Sequence, residues 1–493
     1  MTSIPIRRSH HRLLPDARRV LAKPYSPGEE VLLAGPSRAA LLMERILAIP
    51  EANVGAVLDS VWSRFSRRHR AFDELLEHHF ELVAHLVDST ALLSRERRLL
   101  IGAYFTNEYS VEAAALFNPS IVLAADQTGL GAGEQRFVMS LRAVGEGHLS
   151  SIEFRSGIIS AAGELTFDPP GPYLVGGHRT EPSRYDKRLF AAKLDELGVG
   201  NELTARVLEP LSESFTHAEL EASLSALEAH GPPAAIWFET VKIIRVLASS
   251  NYVTTFPASS ALAERVIFPA GPNETRGMED ARFVRFVDDG GEVTYYATYT
   301  AYDGFQIIPQ LIETDDFRSF RISTMNGAAA QNKGMALFPR RIDGRYVILS
   351  RKDRENLHIG SSNNVRFWNE VTDLYKPSNP WELLQIGNCG SPLETEAGWL
   401  VLTHGAGPMR QYALGALLLD LQDPTKIIGS LKEPLLEPDE TEREGYVPNV
   451  VYTCGGLIHG GNLILPYGFS DAGIGIAAIP LDELLSKLSA TKA

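Results

Sequence analysis

The apolar positions change period along the chain. From Ser37 to about Ile101 they recur at helical spacing: Phe72, Leu75, Leu76, Phe80, Val83 and Leu86 mark one face, with Glu74, Glu77 and Glu81 mostly off it. This predicts a helical N-terminal region over 1–105. After Phe117-Asn118-Pro119-Ser120 the pattern becomes short β-rich runs, SIVLAA and RFVMSLRAV, separated by turn residues. A second helical stretch, about 183–249, contains AELEASLSALEAHG and interrupts the strands. Beyond Asn251 strand, tight turn and strand repeat, with Asp289-Gly290-Gly291, Asp343-Gly344 and Gly460-Gly461-Asn462 supplying turns that need positive φ.

These units recur at roughly 50–60 residues, the scale of a four-stranded propeller blade. The pattern predicts a mainly β chain: a five-bladed β-propeller over 106–485 with the helical insertion inside it, and a C-terminal tail over 486–493. Gly129, Gly131 and Gly133 superficially suggest a dinucleotide loop. A strand rather than a helix follows them, so the phosphate-cradling helix N-terminus is missing and a hairpin loop is expected.

Composition narrows the function classes. With 61 acidic against 47 basic side chains, the net charge is −14, a poor match to nucleic acid or an anionic membrane. Two cysteines, Cys389 and Cys454, make no disulfide framework. The basic N-terminus, Arg7 to Arg12, is followed by no apolar run of signal-peptide length, and no stretch of about 18 apolar residues occurs. A cytoplasmic protein is expected. His78, His79 and His85 do not form a metal site, because sequence neighbours cannot share a helix face. No cofactor is expected.

Four segments carry candidate chemistry. Arg276-Gly277-Met278-Glu279-Asp280-Ala281-Arg282-Phe283 puts two adjacent carboxylates at the entry of a strand, where a propeller converges on its central funnel. An ordinary ion pair with Arg276 or Arg282 would explain them equally. Lys333, with Arg351-Lys352-Asp353-Arg354, combines a point charge with guanidinium forks and suits phosphate; solvated flanking charges are the plainer reading. Gly387 to Pro392 with Trp399, His404 and Tyr412 offers rings and glycines for close approach of a sugar, or simply a core. Glu442 to Val451 precedes a strand ending at Asp471.

Taken together, GMEDARF, ALFPRRIDGRYVILSR, GWLVLTHG, LLLDLQDP and EGYVPNVVYTCG resemble the signatures of glycoside hydrolase family 130, mannoside phosphorylases and β-mannosidases on a five-bladed propeller. The resemblance covers about Asn118 to Leu485. It implies Asp280 as general acid, acting through a hydroxyl of the substrate sugar. It also implies a phosphate site at Lys333, Arg351, His404 and Tyr412, and sugar contacts from Asn118, Arg142, Glu279, Tyr302 and Asp471. Ala281 departs from the family, which usually has proline there.

The chemistry can be followed without the resemblance. Inverting hydrolysis needs an acid and a base for water. Phosphorolysis needs only an acid and cations that hold phosphate in line. The retained cations favour inverting phosphorolysis of a β-mannoside oligosaccharide or glycoconjugate to α-mannose 1-phosphate, with inorganic phosphate as co-substrate. If phosphate is not bound, Glu442, Glu444 or Glu394 could activate water in a β-mannosidase, and the scaffold could also run as a mannosyltransferase. A non-catalytic carbohydrate-binding propeller is the answer of another class. The helical additions could close the funnel, limit acceptor length or form a homo-oligomer interface.

Overall fold

The computed structural model describes residues 4–28, 37–87, 92–229 and 235–490. The protein is mainly β. Its strands form antiparallel stacks in chain order, and each hairpin is closed by the turn residues the sequence provides. The largest sheet has twelve strands. Within it, the stack Ala115–Leu123, Gln135–Val144 and Ser150–Ile159 meets the stack led by Gly277–Val287 at a single pair, Gly277 with Ser150. Three further sheets are led by Ala336–Leu337, Gln385–Asn388 and Val451–Tyr452. Continuous apolar clusters lie between neighbouring sheets; one joins Leu400, Leu402 and Leu414 to Leu463, Leu465 and Ile479.

The loop holding Gly129, Gly131 and Gly133 does connect two strands, Ala115–Leu123 and Gln135–Val144. The helical insertion leaves after His178–Thr180 and returns at Tyr252–Thr255, two strands that pair with each other at the edge of the largest sheet. Its entry and exit are therefore neighbours, so the sheet accommodates the extra helices without losing register. Helices Lys187–Glu196, Glu202–Leu208, His217–Glu228 and Ala235–Ser249 enclose their own core of Phe190, Leu194, Leu220 and Ile244. Thr216 and Glu219 start the third of these with a reciprocal capping box.

The structure differs from the sequence expectation at both ends. Helices over the N-terminal region begin at Arg38, and the earlier segment is partly extended: Arg7–Arg8 pairs with Gly473–Pro480, and Val20–Pro24 with Thr106–Ser110. These strands have partners too remote for a local period to show. At the other end, the helix Leu481–Ala490 buries Leu484 and Leu488, so the tail expected from 486 is in part a packed element. Gly429 makes room for it, since a Cβ there would lie 2.4 Å from the Leu488 carbonyl oxygen. Residues 491–493 lie outside the described ones.

The N-terminal segment is fastened by buried charge. Arg19 reaches Glu112 at 2.8 Å and Glu153 at 2.7 Å, and Arg155 reaches the same two carboxylates at 2.6 and 3.1 Å. Burial, then the neighbouring Glu153 charge, pushes the Glu112 carboxyl up to about 7. Replacing Arg19 with alanine strands two carboxylates on one guanidinium. We expect a loss of about 3–5 kcal/mol, read from the shift of the denaturant midpoint.

Candidate active site

Two strands carry the same irregularity at the same place. Along Ala115–Leu123 the ladder jumps from the pair Phe117–Arg142 to the pair Ser120–Ser140, leaving Asn118 and Pro119 opposite one residue, Leu141. Along Gly277–Val287 it jumps from Glu279–Thr300 to Arg282–Thr298, leaving Asp280 and Ala281 opposite Tyr299. Each is a β-bulge that turns a side chain out of its strand. Asn118 has φ +49° and Asp280 has φ +55°, a left-handed conformation that short polar side chains tolerate best. The two bulges face each other: the Asn118 Nδ2 donates to Asp280 Oδ1 at 2.6 Å, and the Phe283 N–H donates to Ser120 Oγ at 3.0 Å.

Charge concentrates around this contact. Arg142, packed over the Phe117 ring, donates to Glu279 at 2.8 Å and lies 3.4 Å from Asp280. Lys333 pairs with the other Glu279 oxygen. Arg282 is fully buried; it lies 3.5 Å from Asp280 and donates to the Cys389 carbonyl at 2.8 Å and to the Tyr452 hydroxyl at 2.6 Å. Burial alone would raise the Asp280 carboxyl, but Arg142, Arg282 and Lys333, with the Asn118 hydrogen bond, hold it down at about 2. Asp471, also left-handed at φ +48°, goes the other way: burial and the Asp280 charge outweigh Arg142 and push it up to about 6.

A second group adjoins the first. The Arg351 Nη1 donates to His404 Nε2 at 3.1 Å, and the His404 ring stacks on Tyr412 and meets Tyr452 edge-on. Burial, then the Arg351 and Arg282 charges, press the His404 imidazole well below its ordinary range and keep it neutral. Its Nε2 accepts from the guanidinium, so the ring proton sits on Nδ1. Gly387 permits this packing: a Cβ there would stand 2.7 Å from His404 Cε1 and 3.0 Å from Arg351 Cδ.

The structure thus brings Asn118, Arg142, Glu279, Asp280 and Lys333 into direct contact, and Arg351, His404 and Tyr412 into a second set joined to them through Arg282 and Tyr452. Tyr302 stands at the same strand entry, opposite Gly277, with its hydroxyl donating to the Gly304 carbonyl. The three carboxylates considered as bases for water are placed otherwise. Glu442 is buried with Tyr467, Arg8 and Arg12. Glu394 pairs with Arg340 beside a separate cavity of about 440 Å³ that also reaches Val284, four residues or about 13 Å along the strand from Asp280. Glu444 is exposed to solvent.

Three contributors were not singled out as site residues from sequence: Arg282, Tyr452 and Asn388. Asn388 is fully buried with both amide atoms unpartnered, as are Asn118 Oδ1, Arg142 Nε and Arg351 Nε. Buried polar atoms of this kind are costly unless a ligand completes them. The flanking glycines of Gly387-Asn388-Cys389-Gly390 were the available signal for Asn388. Among the described residues, no group of three or more His, Cys, Asp and Glu side chains is placed to hold a metal ion.

Acidic and cationic side chains gathered at strand entries suit a polar ligand, and the relatives identify the family. A profile described as β-1,4-mannooligosaccharide phosphorylase matches residues 255–490. A 1,2-β-oligomannan phosphorylase of Thermoanaerobacter sp. strain X514 is 36% identical over 232 residues, 44% of this chain and 74% of that protein. A β-1,2-mannobiose phosphorylase of Listeria innocua is 32% identical over 230 residues, 45% of this chain and 63% of that protein. The solved Listeria innocua β-1,2-mannobiose phosphorylase, in complex with β-1,2-mannobiose, covers 78% of this chain and 93% of its own, at 23% identity and a TM-score of 0.45. The chain belongs to glycoside hydrolase family 130 and is an enzyme. Asn118 and Arg142 lie before the profile match, yet both contact Asp280.

Two expectations follow from this geometry. Pro119 occupies in one bulge the place that Ala281 occupies in the other, so Ala281→Pro should be accommodated and raise stability by about 0.4–1 kcal/mol, read as a higher melting temperature. Because Asp280 is held at about 2, below its ordinary 3.8, its ion pairing stabilises the fold above that ordinary value and is lost as pH falls through 2. The stability difference between wild type and Asp280→Asn should therefore shrink over that acid window in denaturant titrations.

Proposed function

We propose that the enzyme is an inverting β-mannoside phosphorylase on a five-bladed β-propeller spanning 106–485, with inorganic phosphate as co-substrate and no other cofactor. The observation that carries this reading is the adjacency of one carboxylate, Asp280, to Lys333 and Arg282, with Arg351 joined to them through His404 and Tyr452. The names of its relatives, phosphorylases of β-1,2- and β-1,4-linked mannosides, supply the substrate class. Phosphate held by Lys333, Arg351 and Tyr412, with neutral His404 as their partner, would attack the anomeric carbon from the face opposite the leaving oxygen. Orientation supplies most of the catalysis. Asn118, Arg142, Glu279, Tyr302 and Asp471 would hold the sugar. The placement of Glu442 and Glu394 away from Asp280 favours phosphate over water, because neither is free to activate water there.

An acid held at about 2 is ionised at neutral pH. Phosphate entering the pocket offsets the same cations that depress Asp280 and so raises it towards its protonated form, coupling proton supply to the nucleophile. The proton would pass to the glycosidic oxygen through a hydroxyl of the bound sugar. No described helix is long and apolar enough to cross a membrane, and we place the reaction in the cytoplasm.

The deciding assay incubates β-linked manno-oligosaccharides with and without inorganic phosphate and follows mannose 1-phosphate and free mannose separately. Phosphate-dependent mannose 1-phosphate is expected. Free mannose at equal rates in both conditions would replace phosphorolysis with hydrolysis. Asp280→Asn should lower kcat by at least about 100-fold while sugar binding changes little, the range for loss of general acid catalysis.

A further inference from the structure

Four loops that adjoin strands or turns carrying site residues expose aromatic or apolar side chains. Tyr446, 61% exposed, stacks on the His148 ring with centroids 5.5 Å apart and planes 29° from parallel. His148 lies in the hairpin that follows Arg142, between Gln135–Val144 and Ser150–Ile159. Tyr446 sits where the chain runs hard against Ser470: the Val447 N–H donates to the Ser470 carbonyl at 3.0 Å, and a Cβ on Gly445 would lie 2.5 Å from that oxygen. Asp471 is the next residue. The stacked pair therefore bridges two sheets beside the residues nearest Asp280.

Two more hairpin tips stand at strand ends of the same site. Met409, 95% exposed, belongs to the loop between His404 and Tyr412, and the charge of its neighbour Arg410 is felt by Asp471. Phe305, also 95% exposed, follows Tyr302, which pairs with Gly277 at the entry of the Asp280 strand. Singly exposed apolar side chains are ordinary, but the stacked His148–Tyr446 pair presents joined aromatic area beside strands that carry site residues. Pyranose rings have apolar C–H faces that fit flat aromatic surfaces, with hydroxyls directed to the polar surroundings.

We propose that the His148–Tyr446 pair, flanked by Met409 and Phe305, is a platform for the outer units of a β-mannan acceptor, beyond the unit that leaves. The proposal rests on the reading of the pocket as a β-mannoside site. It makes chain length a determinant of specificity: longer oligosaccharides gain affinity from the rim, whereas a disaccharide does not reach it.

The test compares mannobiose with mannotetraose on wild type, Tyr446→Ala, His148→Ala and Tyr446→Phe. Tyr446→Ala and His148→Ala should raise KM for the tetrasaccharide roughly 3- to 10-fold, leave kcat unchanged and alter the disaccharide less than twofold; Tyr446→Phe should behave as wild type. Equal losses on both lengths, or none on either, would overturn the platform. Calorimetric binding of both sugars in the Asp280→Asn background separates this from the reaction itself. If the tetrasaccharide binds more tightly only when Tyr446 is present, the platform stands even if turnover proves not to be phosphorolysis. If length brings no affinity, the platform fails whatever the products are.

Discussion

Everything at the site depends on pairing two adjacent carboxylates that are largely out of water. Glu279 and Asp280 have side chains only 12% exposed; Arg142 and Lys333 pair with Glu279, and Arg142, Arg282 and Lys333 hold the Asp280 carboxyl down. Those cations come from different parts of the chain, so the charge balance exists only when the sheets are assembled. Fold and electrostatics therefore enforce each other. A sheet displaced by a few ångströms would leave a buried charge alone, which costs more than the displaced contacts.

The paired bulges are the backbone's share of this arrangement. A regular strand would alternate side chains between two sheet faces and bury both against neighbours. By inserting one residue, Asn118 and Asp280 leave that alternation and meet one another, while Ser120 and Arg282 restore register immediately afterwards. The left-handed conformation is locally unfavourable, and it is maintained by the ladders on either side.

Legibility followed the range of the interactions. Helices such as Phe72–Val83 and hairpins such as those at Asp289-Gly290-Gly291 were readable because period and turn chemistry are local. Asp280, Lys333 and Arg351 stood out because charged residues beside strands are conspicuous. The strand Arg7–Arg8 was not, since its partner lies more than 450 residues away, and two arginines carry no alternation. Nor was the fate of Glu442, a buried acid in a promising segment whose partners Arg8 and Arg12 lie more than 400 residues away. Asn388 was hidden for another reason: its significance lies in bonds it does not make.

The pairing of Arg7–Arg8 with Gly473–Pro480 has a temporal side. Arg7–Arg8 is made well before the strands of the sheet it completes. Until then the early segment has no ladder, and when Gly473–Pro480 is made its edge stays open to foreign strands. Loop closure over nearly the whole chain is slow relative to the local hairpins, which can form as they emerge. Completion of this sheet therefore waits on the joining of segments more than 450 residues apart, whereas the local hairpins need no such wait.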